Sequence, residues 1–195
     1  MRIFVALDID DMIRDHIRRF MEGVRGFAPD ARWVRPESLH VTLKFIGEKP
    51  RPAVDEVKVA LTNVQGEPFE LQFGGYGFFP TAKAARVFWI GIRSGPQLAA
   101  LATKIDEAVS NIGVPREDHG FSPHLTLARG GGHSGAPGWR KGDEANKNFG
   151  VLQEKLTHVA IPEFGSLTAR EFFLFESKLM QGGSKYTKIA SIALR

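Results

Sequence analysis

Short apolar runs alternate along this chain with amphipathic stretches. Arg2 to Asp8 is an apolar run closed by Asp8-Ile9-Asp10-Asp11, which predicts a buried strand leading into a helix cap. From about 10 to 25, Ile13, Ile17, Phe20 and Val24 recur at spacings of four, three and four, the stripe of a helix that Gly26 and Pro29 close. Arg32-Trp33-Val34-Arg35 predicts a short strand stopped by Pro36. Leu39 to Ile46 alternates apolar and polar positions through Val41, Leu43 and Phe45, as a half-buried strand does. A helix fits 52 to 63, and strands fit Phe69 to Phe73 and Arg86 to Ile92, either side of the aromatic segment Tyr76 to Phe79. Gln97 to Ile112 is a further helix, with Leu98, Leu101, Ile105 and Val109 on one stripe.

Phe121 to Leu127 predicts another strand, and the glycine-rich stretch 129 to 148 a long mobile loop. Beyond it a short helix is expected, then strands near 157 to 161, 169 to 178 and 185 to 193. Gly182-Gly183 is the expected hairpin turn between the last two. Helices mixed with many strands and frequent hairpin signals indicate an α+β fold with antiparallel sheet rather than a doubly wound parallel one.

Composition narrows the chemistry. At 195 residues and 21.6 kDa the chain suits one domain with a proper core, and 43% hydrophobic with 25% charged residues is ordinary globular usage. Cysteine is absent, which removes thiolate nucleophiles, Cys-based zinc sites and thiol redox switching. The first apolar run, Ile3 to Leu7, is too short for a signal peptide or a membrane span, so a cytoplasmic location is expected. The formal charge of +4 is spread along the chain and says little about partners. No glycine-rich dinucleotide fingerprint or phosphate-cradling loop is present.

An internal repeat carries the functional reading. Under a shift of 84, Arg2-Ile3-Phe4-Val5 falls on Arg86-Val87-Phe88-Trp89 and the helix near 10 to 25 on that near 97 to 112. Under the same shift Ser38 falls on Ser122, and His40-Val41-Thr42-Leu43 on His124-Leu125-Thr126-Leu127. Two similar halves forming a single bilobal domain over 1 to 195 are expected, packed about a pseudo-two-fold axis that faces the two His-x-Thr segments together. On a strand, His40 and Thr42 share one face, as do His124 and Thr126, while Val41, Leu43, Leu125 and Leu127 face the core. Two imidazoles either side of a phosphorus atom can divide acid and base roles in an in-line displacement, and the hydroxyls can donate to its non-bridging oxygens. That chemistry needs no metal and no other cofactor.

Other residues carry weaker expectations. Strict alternation puts Lys44 on the face of His40 and Thr42, where it adds positive potential or is simply solvated. Phe4 and Phe88 hold equivalent repeat positions, in the core or stacked on a nucleobase. Trp139, Arg140 and Lys141 in the long loop could make a swinging basic-aromatic contact. His16, His119, His133 and His158 read as ordinary surface residues.

The segments His40-Val41-Thr42-Leu43-Lys44-Phe45-Ile46-Gly47 and Ser122-Pro123-His124-Leu125-Thr126-Leu127-Ala128-Arg129 resemble the paired signature of the two-histidine phosphoesterases. The branch resembled is the RNA 2′,3′-cyclic phosphodiesterase, or 2′-5′ RNA ligase, family. The opening Arg2 to Asp8, Trp33-Val34 and Arg86-Val87-Phe88-Trp89 resemble it too. The resemblance implies two antiparallel sheets flanked by helices around a V-shaped central cleft. It implies metal-independent hydrolysis of an RNA 2′,3′-cyclic phosphate to a 2′-phosphomonoester, and in some relatives reversible 2′-5′ joining. It makes His40 the proton donor, His124 the proton acceptor, and Thr42, Thr126 and Arg129 substrate-binding residues. The implied partner is RNA with a 2′,3′-cyclic phosphate end, tRNA halves included, or a cyclic nucleotide, taken by a monomer. Two other readings keep the cleft: an RNA- or nucleotide-binding module with little turnover, and a cyclic phosphodiesterase of a small nucleotide metabolite.

Overall fold

In the computed structural model, which describes residues 1–130, 149–181 and 183–195, nine strands form two antiparallel sheets. The first sheet runs β3-β1-β8-β9, from β1 (Arg2–Leu7), β3 (Val41–Glu48), β8 (Glu171–Met180) and β9 (Gly183–Ala193). The second runs β2-β6-β5-β4-β7, from β2 (Arg32–Trp33), β4 (Phe69–Phe79), β5 (Val87–Ser94), β6 (His124–Arg129) and β7 (Glu163–Ala169). Four helices cover them: α1 (Asp11–Val24), α2 (Arg51–Thr62), α3 (Gln97–Ser110) and α4 (Gly150–Leu156).

The helices cross over between sheets. α1 begins where the Asp10 carboxylate accepts from the Ile13 amide at 2.8 Å, an N-cap that satisfies one of the orphan donors of the first turn. It buries Ile13, Ile17, Met21 and Val24, yet it leaves β1 to pack on the other sheet, where Phe20 meets Phe88 and Phe164. α3 leaves β5 and packs against β3 and α2 of the first half. Each half therefore closes the core of the other, and one continuous apolar cluster runs through both. Among the described residues no helix is long and apolar enough to cross a membrane.

The α+β class and the antiparallel sheets are as the hydrophobic pattern predicts, with three local departures. β4 continues through Tyr76 to Phe79, because a bulge at Gly74-Gly75, with Gly75 at φ 68, bends the strand without ending it. Residues 157 to 161 form a turn and an open stretch, with Val159 and Ile161 exposed; the strand starts at Glu163, where pairing with β4 begins. The loop expected over 129 to 148, with Trp139, Arg140, Lys141 and His133, lies outside the described residues apart from Arg129 and Gly130.

The third departure is a pair of bulges. Val5 pairs with Lys44 and Ala6 with Thr42, which leaves Leu43 without a partner; Phe88 pairs with Ala128 and Trp89 with Thr126, which leaves Leu127 without one. Two successive residues then face the core, and alternation resumes in the opposite phase. Lys44 thus faces inward, not toward His40. It is 3% exposed, and its ammonium meets Asp106 of α3 at 2.6 Å, Glu117 at 3.3 Å and the Pro115 carbonyl at 2.8 Å. The same registers match Phe88 to Val5 rather than to Phe4: Phe88 is core, and Phe4 lies on the opposite face of its sheet.

Removing one partner of a buried pair strands the other charge. Asp106→Ala should therefore lower the unfolding free energy by about 3 kcal/mol in urea titration. Lys44→Met keeps the volume and strands only Asp106, whose side chain is 18% exposed against 2% for Lys44 and can reach water, so it should cost less. Equal losses in the two variants would contradict this account of the pair.

Candidate active site

The two His-x-Thr segments lie on β3 and β6, strands of different sheets that touch each other. Each histidine stands at the entry to its strand and is fastened the same way. His40 Nδ1 lies 2.7 Å from the Ser38 carbonyl, and His124 Nδ1 lies 2.8 Å from that of Ser122. A carbonyl oxygen can only accept, so each Nδ1 must carry the proton. In the neutral ring that leaves Nε2 as the free lone pair, and in the imidazolium it leaves Nε2–H as the free donor. Neither Thr42 nor Thr126 has its hydroxyl engaged by another described residue.

The rings around the histidines differ. His40 stands against Phe4, with centroids 4.8 Å apart, and edge-on to Tyr186 at 5.1 Å, with Phe175 behind. Phe4, Ala6, Phe173, Phe175 and Tyr186 form a small apolar cluster separate from the main core, the floor of the first sheet on this face. His124 meets Phe79 edge-on at 5.0 Å, with Trp89 beyond. The indole of Trp89 lies flat across Gly77, where a Cβ would come within 2.1 Å of the ring, so glycine is required there. The bulges give one more contrast. Past them, the residues returning to the histidine face are Phe45 on β3, 54% exposed, and Arg129 on β6. One wall is thus aromatic and the other cationic.

Electrostatics follow from burial. His40 is pushed down to about 4, first by desolvation and then by the positive charges of Arg129 and His124; donation to Ser38 and the charge of Asp8 work the other way. Burial, then Arg129, lowers His124 as well, against its bond to Ser122. Burial lowers Arg129 itself, assisted by Arg32 and Arg2 and opposed by Tyr186. The histidines and Arg129 therefore share one electrostatic neighbourhood.

A clamp around His40 escaped the sequence reading. Arg14 of α1 donates to the carbonyls of Pro36 at 2.7 Å and Leu39 at 3.3 Å, which bracket Ser38, the residue that holds His40. Its other nitrogen reaches Asp8 at 2.7 Å and the Ile9 carbonyl at 3.0 Å, and Lys188 of β9 pairs with the far oxygen of Asp8. Burial acts to raise Asp8, but the bonds and charges of Lys188, the Ile9 amide and Arg14 outweigh it and hold the carboxyl below its usual range. In the second half Pro123 occupies the place of Leu39, and its ring restrains the approach to His124 covalently. The sequence signal was a polar residue beside the apolar stripe of α1, which any helix has.

Of the expected site residues, His40, Thr42, His124, Thr126 and Arg129 all lie on this face, whereas Lys44 and Phe88 do not. His16, His119 and His158 are exposed; His16 bonds the Phe164 carbonyl and ties α1 to β7.

Comparison with known proteins agrees in kind. The family model "LigT like Phosphoesterase" matches residues 7–89. An RNA 2′,3′-cyclic phosphodiesterase of Archaeoglobus fulgidus is 32% identical over 186 residues, 95% of this chain and 96% of the relative. One of Methanothermobacter thermautotrophicus is 31% identical over 188 residues, 95% of each. Among solved structures, E. coli LigT complexed with 3′-AMP superposes with a TM-score of 0.75 at 26% identity, covering 99% of this chain and 97% of that one. The same protein complexed with phosphate gives 0.71 at 26% identity, covering 99% and 96%.

The depressed His40 pKa has a measurable cost. Between its unfolded value near 6.5 and its folded value of about 4, the unfolded chain binds the proton and the native chain does not, so stability falls as pH drops through that window. Replacing His40→Phe keeps a ring in the cage and removes the proton. From pH 7.5 to 4.5 the wild type should lose up to about 3 kcal/mol more unfolding free energy than this variant. Parallel stability curves would show that the site does not depress His40.

Proposed function

Since the chain belongs to the LigT-like phosphoesterases, the family of the RNA 2′,3′-cyclic phosphodiesterases, we propose that it opens RNA 2′,3′-cyclic phosphates to 2′-phosphomonoesters with His40 as acid and His124 as base. The observation that carries this reading is the paired Nδ1–carbonyl lock, which leaves Nε2 of both rings free for proton transfer. In the step, His124 Nε2 takes a proton from water as its oxygen attacks phosphorus. The P–O3′ bond breaks, and His40 Nε2–H protonates the departing 3′ oxygen. Thr42 and Thr126 donate to the non-bridging oxygens, and Arg129 supplies positive potential to the phosphoryl group. Exchange with solvent resets both rings, and an RNA 5′-hydroxyl attacking in place of water, with the 3′ oxygen again leaving, would join two chains through a 2′-5′ phosphodiester.

The asymmetry between the rings supports the role assignment. Among the described residues a carboxylate, Asp8, acts on His40 to favour the imidazolium, and none acts so on His124. A bound cyclic phosphate, one negative charge beside His40, opposes the effect of burial and raises its pKa.

His40→Ala and His124→Ala should each lower kcat by about 10² to 10⁴, while the wild type should give a 2′-phosphate product and keep full activity in EDTA. Loss of activity in EDTA, or a 3′-phosphate product, would contradict the scheme.

The pH profile is a second test. The free enzyme must hold His40 protonated and His124 neutral, and both pKa values are depressed. The bell for kcat/KM should therefore peak below pH 6.5, and the bell for kcat should lie at higher pH. A kcat/KM optimum at pH 7.5 or above would contradict the protonation states assigned.

A further inference from the structure

Three arginines gather at the cationic wall. Arg32 and Arg129 are direct partners across β2 and β6, so their side chains leave the same face with Cβ atoms about 5 Å apart. Like charges placed opposite each other in a ladder destabilise it. Arg2 projects from the other sheet on the face of Phe4 and Ala6, near enough that its charge and that of Arg32 both act on Arg129. Neither Arg2 nor Arg32 forms an ion pair with any described residue, and Arg32 is exposed on an edge strand.

The position of the cluster relative to the histidines suggests what it serves. Arg129 lies three residues beyond Thr126 on the same face, about 10 Å along the strand, and Arg32 stands beside it on the edge strand β2. A cyclic phosphate held by the threonines would occupy the inner end of this line. The outer end then receives whatever the 5′ side of the nucleotide carries. On an RNA chain that group is a phosphodiester anion; on a free cyclic nucleoside phosphate it is a hydroxyl.

We propose that Arg32, with Arg129 and Arg2 around it, forms a second phosphate subsite that binds the phosphodiester adjoining the terminal nucleotide, so that the enzyme selects an RNA chain over a free cyclic nucleotide. The proposal rests on the cyclic phosphodiesterase reading and adds to it the length of the substrate. Each phosphate neutralised by an arginine releases counterions, which makes the preference depend on salt.

The test compares uridine 2′,3′-cyclic phosphate with an oligouridylate ending in the same group, using the full chain and Arg32→Gln at several NaCl concentrations. In the wild type the oligonucleotide should have the higher kcat/KM. In Arg32→Gln the ratio of oligonucleotide to mononucleotide kcat/KM should fall about tenfold, with the salt slope for the oligonucleotide reduced by roughly one, and Arg32→Lys should recover part of both. The mononucleotide rate in each variant reports whether the protein is folded. A wild-type ratio of one or less, or a ratio that Arg32→Gln leaves unmoved, overturns the proposal. His40→Ala, measured on both substrates, tests the parent reading separately: activity retained on both would remove the phosphodiesterase assignment itself.

Discussion

A single short-range bond organises this site: an imidazole Nδ1–H given to the backbone carbonyl two residues upstream. It is local, it is made twice, and it fixes the tautomer before any substrate arrives. Much of the surrounding structure holds that carbonyl still. In the first half Arg14 clamps the backbone either side of Ser38, and Asp8 and Lys188 hold Arg14 in turn. In the second half a proline does the same work covalently. One positional requirement is thus met by an ionic network on one side and by a ring on the other. Among the described residues only the ionic version places a carboxylate near its histidine, the difference on which the proposed division of roles rests.

The bulges at Leu43 and Leu127 are a second shared device with divergent results. Each shifts the face that the rest of its strand presents, which puts Lys44 into the core and brings Phe45 and Arg129 back beside the histidines. Buried Lys44 joins β3 to α3 and to the segment around Pro115 and Glu117, a few residues ahead of Ser122. The ion pair therefore ties the strand of one histidine to the approach of the other.

The part of the fold legible in the sequence was the part governed by regular periods. The stripes of α1 and α3 and the apolar partners of His40 and His124 all follow from spacing, and the doubled Ser-x-His-x-Thr is visible by sliding the chain on itself. What could not be read depends on breaks in period. A bulge leaves no residue signature in Thr-Leu-Lys-Phe, so strict alternation assigned Lys44 to the wrong face; the match of Phe4 slipped by one because the segment joining the paired strands is one residue longer in the second half. Arg14 and Arg32 were invisible for another reason. Their importance lies in what stands opposite them in space, on a loop carbonyl or a partner strand, and the sequence does not display those neighbours.

Stereochemistry at phosphorus tests most directly whether two opposed imidazoles act on one phosphoryl centre. A cyclic phosphorothioate of single configuration, opened in ¹⁸O water, yields a product whose handedness records the direction of attack. Water activated by one ring while the other protonates the departing oxygen must enter opposite the leaving group, so the account predicts inversion. Retention would mean two successive displacements through a phosphorylated side chain, and the division of acid and base between His40 and His124 would not stand.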